Sequence, residues 1–469
     1  MRPLLQLAIF LIVGAPCASL VHAAALEAGA AQSVLTPHLS ADHPVYLAGF
    51  GHNRIATGIH DDLSARCLAL QAGGHPLVLC SVDLIGLFYD DVLTIRRQLA
   101  QLTPTAPFLI VASTHTHAGP DTLGLYGPRP LVSGIDPHYL DWVDSRIAAT
   151  AAQAIRSLQP ARLILGRDDH PLLGLLQGVD RPPIVKDPYL FALRLIARSN
   201  GRTIATLVNW SDHPETLGRK NTEITSDYPH WVRASLEQAF GGTAIFFSGA
   251  IGKVSPLVQV ALVDPDTGQI AEDGTWRKAE LLGTKVGQLA ERTLNNGQQA
   301  NIDSISVHSE SIFIPMQNPL FRAAEAAGVL MGRKPLYTNG KPDPASGSEV
   351  RTEVDYVQLR SRDLPVAEIV TIPGEIYPEL VNGGVQRYPG ADYPNAPIEP
   401  ALRSELKSEY QFIFGLGNDE LGYLIPKAEW DQQPPWLLNA TSPFYGEINS
   451  AGPDAAGTVL RALIALINR

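Results

Sequence analysis

Short apolar runs alternate with amphipathic stretches along most of the chain. Runs at 65–71, 76–82, 108–111, 161–165, 190–197, 203–210, 243–247, 354–359, 367–372 and 411–415 have the length and composition of buried strands. Apolar residues recur at helical spacing over 90–102, 139–158, 229–239 and 276–294. Pro229 suits the first turn of its helix, and a last helix closes the chain near Asn468. Gly73-Gly74 between the first two runs predicts a tight hairpin. Turn residues mark 178–183, 332–348 and 431–453 as loops, the second being an insertion or a lid. Strands that end in polar loops, with helices covering the sheets, predict an α/β (mixed α+β) protein. No repeat and no clean linker divides it, so a single large domain is expected.

Length and composition narrow the picture. At 469 residues, with 45% hydrophobic and 18% charged residues, the chain can build a large core. A net charge of -11, with no basic cluster, argues against nucleic acid as a partner but leaves a lipid substrate open. Residues 1–24 read as a signal peptide: Arg2, the apolar stretch 4–13, and Val21-His22-Ala23 before a cut at Ala24 or Ala25. The expected destination is the periplasm or the medium. Beyond the leader, Cys67 and Cys80 fall opposite each other across the predicted hairpin, as a disulfide or as two buried thiols.

The candidate chemistry sits at strand ends. The run at 108–111 leads into Thr114-His115-Thr116-His117-Ala118-Gly119-Pro120, where strand alternation would send His115 and His117 to one side. Two such imidazoles can bind a metal, or divide metal binding and proton transfer between them. Further strand ends carry His213, Ser255, Glu375 and Tyr423. Two His and one Glu are a ligand set suited to a hydrolytic zinc, and their wide separation in sequence means that spacing alone cannot single them out.

These pieces resemble the catalytic domain of the neutral, non-lysosomal ceramidases. Gly58-Ile59-His60, Ser64-Ala65-Arg66, Ser81-Val82-Asp83, the THTHAGP segment, His213-Pro214, Gly252-Lys253-Val254-Ser255-Pro256, Pro373-Gly374-Glu375 and Gly422-Tyr423 occur in the family's order. They span about the whole of residues 25–469, and the ordered set is more specific than any one member. The resemblance implies two packed mixed β-sheets flanked by helices. It also implies one zinc per chain, on His115, His213, Glu375 and Tyr423. His117 would contact the scissile amide, Arg181 would stand for the arginine of the family's NRSP segment, and Ser255 would be the residue the family gives as nucleophile. The implied activity is hydrolysis of the N-acyl amide bond of ceramide or a related N-acyl lipid, with peripheral contact at a membrane surface left open.

Two routes to the amide carbonyl remain at this point. Water primed at the metal is favoured, because no sequence feature gives Ser255 a base of its own; Ser255 as nucleophile is the alternative. The bland readings are a loop histidine at 213, a helix-start carboxylate at Glu375, a packing tyrosine at 423, and an Arg181 that pairs with Asp180 or Asp187. Lys253, Leu257 and the segment Glu215-Thr216-Leu217-Gly218 depart from the ceramidases proper, as does an end without their immunoglobulin-like domain. These departures bear on the substrate more than on the metal. Residues 84–88 and 123–126, with Pro128 and Leu131, are candidates for an acyl pocket. Competing functions are a metal-independent serine hydrolase, against which the lack of GxSxG counts, and a non-catalytic binding protein on the same scaffold.

Overall fold

The computed structural model describes residues 25–330, 333 and 336–469; the expected leader lies outside them. The larger sheet is built from β1 (Glu27–Val34), β2 (Ser64–Gln71), β3 (Leu77–Val82), β4 (Phe108–Ser113), β5 (Gln159–Asp168), β6 (Leu190–Ala197), β7 (Thr203–Trp210) and β8 (Thr243–Ser248). They lie in the order β8-β7-β6-β5-β1-β2-β3-β4, and Gln298–Ala300 adds a short strand to β5. Neighbours run antiparallel except β3 with β4 and β7 with β8.

The second sheet carries β9 (Ser304–Pro315), β10 (Glu349–Ser361), β11 (Leu364–Thr371) and β12 (Tyr410–Phe414). Here β9, β10 and β11 are antiparallel, while β11 and β12 are parallel.

Strand alternation sorts the apolar residues into separate cores. On β3, Leu77 and Leu79 face the second sheet, joining Val357, Ile369, Phe412 and Phe414. Val78, Cys80 and Val82 face the other way, toward α1 (Tyr89–Leu102) and α2 (Pro137–Arg156). Burial on both faces is why such strands read as unbroken apolar runs. The β7–β8 end of the sheet is covered in the same way by α3 (Pro229–Phe240) and α4 (Trp276–Asn295). The outer face of the second sheet is covered by α6 (Ala455–Ile467), which follows the short α5 (Pro319–Ala326) in the chain. The result is helices, sheet, sheet, helix: the two packed mixed sheets that the resemblance implies. Cys67 and Cys80 are register partners and are joined as a disulfide, which resolves the alternative left open by sequence.

The predicted helices over 90–102, 139–158, 229–239 and 276–294 match α1 to α4 to within two residues at each end. β1, β9 and α5 have no counterpart in the sequence reading. Within the predicted 332–348 loop, Tyr337–Thr338 and Lys341–Pro342 form a small hairpin. Among the described residues no helix is long and apolar enough to cross a membrane.

The α1–α2 contact buries one acid, Asp144, and half-buries another, Asp91. Asp91 accepts the main-chain N–H of Phe88 at 3.0 Å and so caps α1. Asp144 of α2 is 3% exposed, and its Oδ1 has no partner among the described residues. Burial pushes Asp91 up to about 7; burial and the neighbouring Asp91 push Asp144 up to about 8. Folded pKa values above the unfolded ones mean stability that is full below about pH 4 and is lost as pH rises through 7–8. Asp144→Asn is therefore expected to raise stability by on the order of 1–3 kcal/mol at pH 8.5 and to change it little at pH 5, read by denaturant unfolding at both pH values.

Candidate metal centre

The three parallel strand pairs all end toward one region, and parallel neighbours place their following loops on the same side. β4 leads into the His115–His117 loop. β7 leads into Asp212-His213-Pro214, and β8 into the Ser255 turn. β11 leads into Glu375, and β12 into Tyr423. The loops are tied to each other: Ser248 Oγ donates to the Thr114 carbonyl at 2.7 Å, and the N–H of His117 donates to the Pro214 carbonyl at 3.0 Å. Glu375 and Tyr423 are register partners in a two-residue parallel pair, so they stand side by side.

His115 and His117 do come together, with ring centroids 4.9 Å apart, but not by strand alternation. β4 ends at Ser113, and His115 has φ 70°, in the left-handed region. The turn there, rather than a pleat, aims the two rings. Gly49 presses on the His117 ring: a Cβ built on it would lie 2.3 Å from Cγ of that ring, and φ is +99°. Phe50 meets the ring edge-on at 4.8 Å, and Arg54 donates to the His117 carbonyl.

His115, His117, His213, Glu375 and Tyr423 are all buried. Nδ1 of His115 lies 2.6 Å from the Ile85 carbonyl, and Nδ1 of His213 lies 2.6 Å from the Val254 carbonyl. A carbonyl only accepts, so both Nδ1 atoms carry protons and both Nε2 atoms present lone pairs. Those Nε2 atoms face one oxygen, Glu375 Oε2, at 3.5 Å and 2.8 Å. Acceptors crowded against acceptors in a buried place require a cation among them, either a proton or a metal ion. Without a metal, the proton is held there. Burial lowers the His213 pKa, but the hydrogen bond to Glu375 and the charges of Glu215 and Glu375 outweigh it and raise it to about 10. Burial alone would raise the Glu375 carboxyl, yet His115 and His213 hold it far below the usual range. Histidines with Nδ1 spent on carbonyls and Nε2 turned inward are the arrangement that metal-binding imidazoles adopt. The donor set fits a divalent ion such as zinc.

Ligand atoms of His115, His117 and His213 all lie within 4.8 Å of one another, so a third imidazole is also in reach. His117 differs from the other two. Its nitrogens have no well-aligned hydrogen-bond partner, and Nδ1 lies 3.2 Å from Glu215 Oε2. Burial pulls its pKa down to about 4, so the ring is neutral. Tyr423 stacks on His213 with centroids 6.3 Å apart, and burial, with Glu375 nearby, keeps its phenol protonated.

Ser255 has the base that the sequence reading did not find. Its Oγ donates to Glu215 Oε1, whose other oxygen faces His117. Glu215 is the functional residue that the sequence reading passed over, noting it only as a departure; the signal available was a carboxylate two residues after a candidate ligand. Arg181 is not among the residues lining the pocket beside the histidines. It pairs with neither Asp180 nor Asp187, because Glu447 takes its guanidinium at 2.9 Å and 3.1 Å, with Phe444 stacked 4.4 Å away. Asp187 is held by Arg403 instead. Lys253 is buried against Glu379 and the Pro183 carbonyl, and the 253–255 turn docks on the 178–180 loop.

A narrow cleft opens onto His115 and His117. Phe88, Leu123, Leu125, Tyr126, Met316, Phe321 and Leu330 line it, with His115, His117, Glu375 and Tyr423 at its polar end. Of the expected acyl-pocket residues, Phe88 and those at 123, 125 and 126 are on its wall. Leu84 and Leu87 are core, and Pro128 and Leu131 face solvent.

This architecture resembles that of two solved ceramidase structures. The structure described as "Crystal Structure Analysis of neutral ceramidase from Pseudomonas aeruginosa" superposes with a TM-score of 0.68 at 16% identity, covering 95% of this chain and 74% of that one. A second, "Ceramidase complexed with C2", gives a TM-score of 0.68 at 15% identity, covering 95% and 75%. At such identities the likeness is one of fold. No family model and no curated protein matches the sequence.

The proton on His213 is the simplest part of this geometry to test. In metal-free protein, Glu375→Gln is expected to drop the His213 pKa well below about 10, read by NMR titration of the imidazole nitrogens. An unmoved pKa would show that Glu375 is not its partner.

Proposed function

We propose that this protein is an exported, zinc-dependent amidase that cleaves the N-acyl amide bond of ceramide or a related N-acyl lipid. The observation that carries the reading is the buried meeting of His115 Nε2, His213 Nε2 and Glu375 Oε2 at the polar end of an apolar cleft. The ceramidase fold of the neighbouring structures supports the substrate class. His115, His213, Glu375 and Tyr423 would hold the ion, which when bound supplies polarisation of a carbonyl and a lowered pKa for water.

The chain's own residues do the rest. The apolar wall takes the acyl chain and excludes bulk water from the amide. Neutral His117 lines the cleft and exchanges protons with the amide or with attacking water. Glu215 lies behind it, beside Nδ1, as a carboxylate that orients the ring and stabilises its charged form. Ser255 in turn fixes Glu215, and it does not line the cleft. That placement favours water over Ser255 as nucleophile. Arg181, tied to Glu447, joins its loop to the short helix Tyr445–Ile448 and does not line the cleft.

The mature protein, beginning near Ala25, is expected to hold about one zinc per chain. His115→Ala should lose both metal and amide hydrolysis, checked by elemental analysis beside a chelator-sensitive assay on several N-acyl amides; full turnover by stripped enzyme would sink the reading. A second expectation separates the two nucleophiles. Glu215→Gln should lower kcat by about 10²–10⁴ with zinc retained, whereas Ser255→Ala should cost about tenfold or less. An acyl group found on Ser255 by mass spectrometry would instead favour the serine hydrolase reading, for which the Ser255–Glu215 hydrogen bond is the supporting contact.

A further inference from the structure

Arg333, Glu420, Tyr445 and Asn449 also line the cleft and are unused by the proposed chemistry; of these four, Glu420 alone has a buried side-chain oxygen without a partner among the described residues. Glu420 is 6% exposed and lines the same space as His115 and Glu375. Its Oε1 accepts the Gly422 N–H at 2.7 Å, while Oε2 is buried with no partner among the described residues. The adjacent cation does not pair with this side chain. Arg333 spends Nη1 on Asp419, at 2.8 Å, and Nη2 on the main-chain carbonyl of Glu420 itself. Nor can the side chain fold back: Gly86 is packed so closely behind it that a Cβ there would lie 2.9 Å from the Cβ of Glu420. A buried carboxyl oxygen without a partner costs free energy in the empty protein, and a ligand that supplies the partner recovers it.

The geometry points to Glu420 as a specificity-determining residue that receives a hydroxyl or ammonium group of the substrate, so that the cleft takes N-acyl amines bearing such a group close to the amide over plain N-alkyl amides. This rests on the amidase reading above. The apolar lining accounts for an acyl chain, and it would suit a plain alkyl amide equally well. Glu420 adds a fixed polar contact on the same wall, with Oε2 its one free position. A site built to hydrogen-bond a substrate group rejects the analogue that lacks it, because the protein's own buried group is then left unpaired.

The test is a matched series: the N-dodecanoyl amides of ethylamine, ethanolamine and ethylenediamine, assayed with zinc-loaded wild type, Glu420→Leu and Glu420→Gln. Wild type is expected to show kcat/KM at least about tenfold higher for one or both donor-bearing amides than for the ethyl amide. In Glu420→Leu that ratio should fall to about one. Glu420→Gln distinguishes the two sources: it keeps a preference for the hydroxyl and loses one for the ammonium. General damage to the fold lowers all three rates together and leaves the ratio as in wild type, so an unchanged ratio in Glu420→Leu overturns the assignment. Equal turnover of all three amides by wild type overturns it as well and leaves the amidase reading standing. No turnover of any of them, nor of other N-acyl amides, overturns the amidase reading and takes this inference with it.

Discussion

The structure depends on an electrostatic debt at its centre. Two imidazole lone pairs are held against one carboxylate oxygen, at 2.8 Å and 3.5 Å, away from water, with the Nδ1 protons already committed to carbonyls. Such a group of acceptors is stable only around a positive charge. Three loops from three different parallel strand pairs must be fixed relative to each other to sustain it, and much of the polar hydrogen bonding around the site serves that end. The surrounding buried acids follow the same logic: Asp83 is met by Arg233, Asp187 by Arg403, Asp419 by Arg333 and Glu447 by Arg181.

What holds the two sheets in register is a small number of buried amides. Asn209 on β7 donates to the Phe247 and Ile413 carbonyls and accepts the N–H of Ile413, so one side chain joins the larger sheet to β12. Asn418, at φ 62°, exchanges hydrogen bonds with the main chain of Val111 through its own main chain and side chain, and donates to Asp355. These clips lie just below the strand ends that carry His115, His213 and Tyr423. Apolar packing between the sheets sets their separation, but it is non-directional and permits sliding; the amides remove that freedom.

Much of this was legible in sequence, for identifiable reasons. Helices α1 to α4 each pair one apolar stripe with one polar face, and the central strands are buried on both sides, so both announce themselves by period and by run length. β1 does not. Its EAGAAQSV sequence is small because α2 packs directly on it: a Cβ on Gly29 would lie 2.3 Å from the Ala154 carbonyl. β9 is half-buried or exposed over most of its length, and its SVHSES half reads as polar. At the site, the histidines and Glu375 could be picked out as chemistry at strand ends, and the resemblance gave them an order. The Glu215 contact with Ser255 could not be read in that way. It depends on how the 213–216 turn and the 253–255 turn, from two different strands, meet in space. The partner of Arg181 was equally hidden, because Glu447 is 266 residues away along the chain.

The division of labour between strand ends and covering segments has a consequence for how such a protein can change. The cation's neighbours come from loops anchored by the sheets, whereas the cleft wall comes largely from 121–126, 316–330 and 445–451, segments that carry none of them. Evolution can therefore remodel what is admitted without renegotiating what is done to it. Length changes and side-chain swaps in those outer segments alter shape and polarity at little risk to the electrostatic centre, which makes drift in selectivity cheap and drift in chemistry expensive.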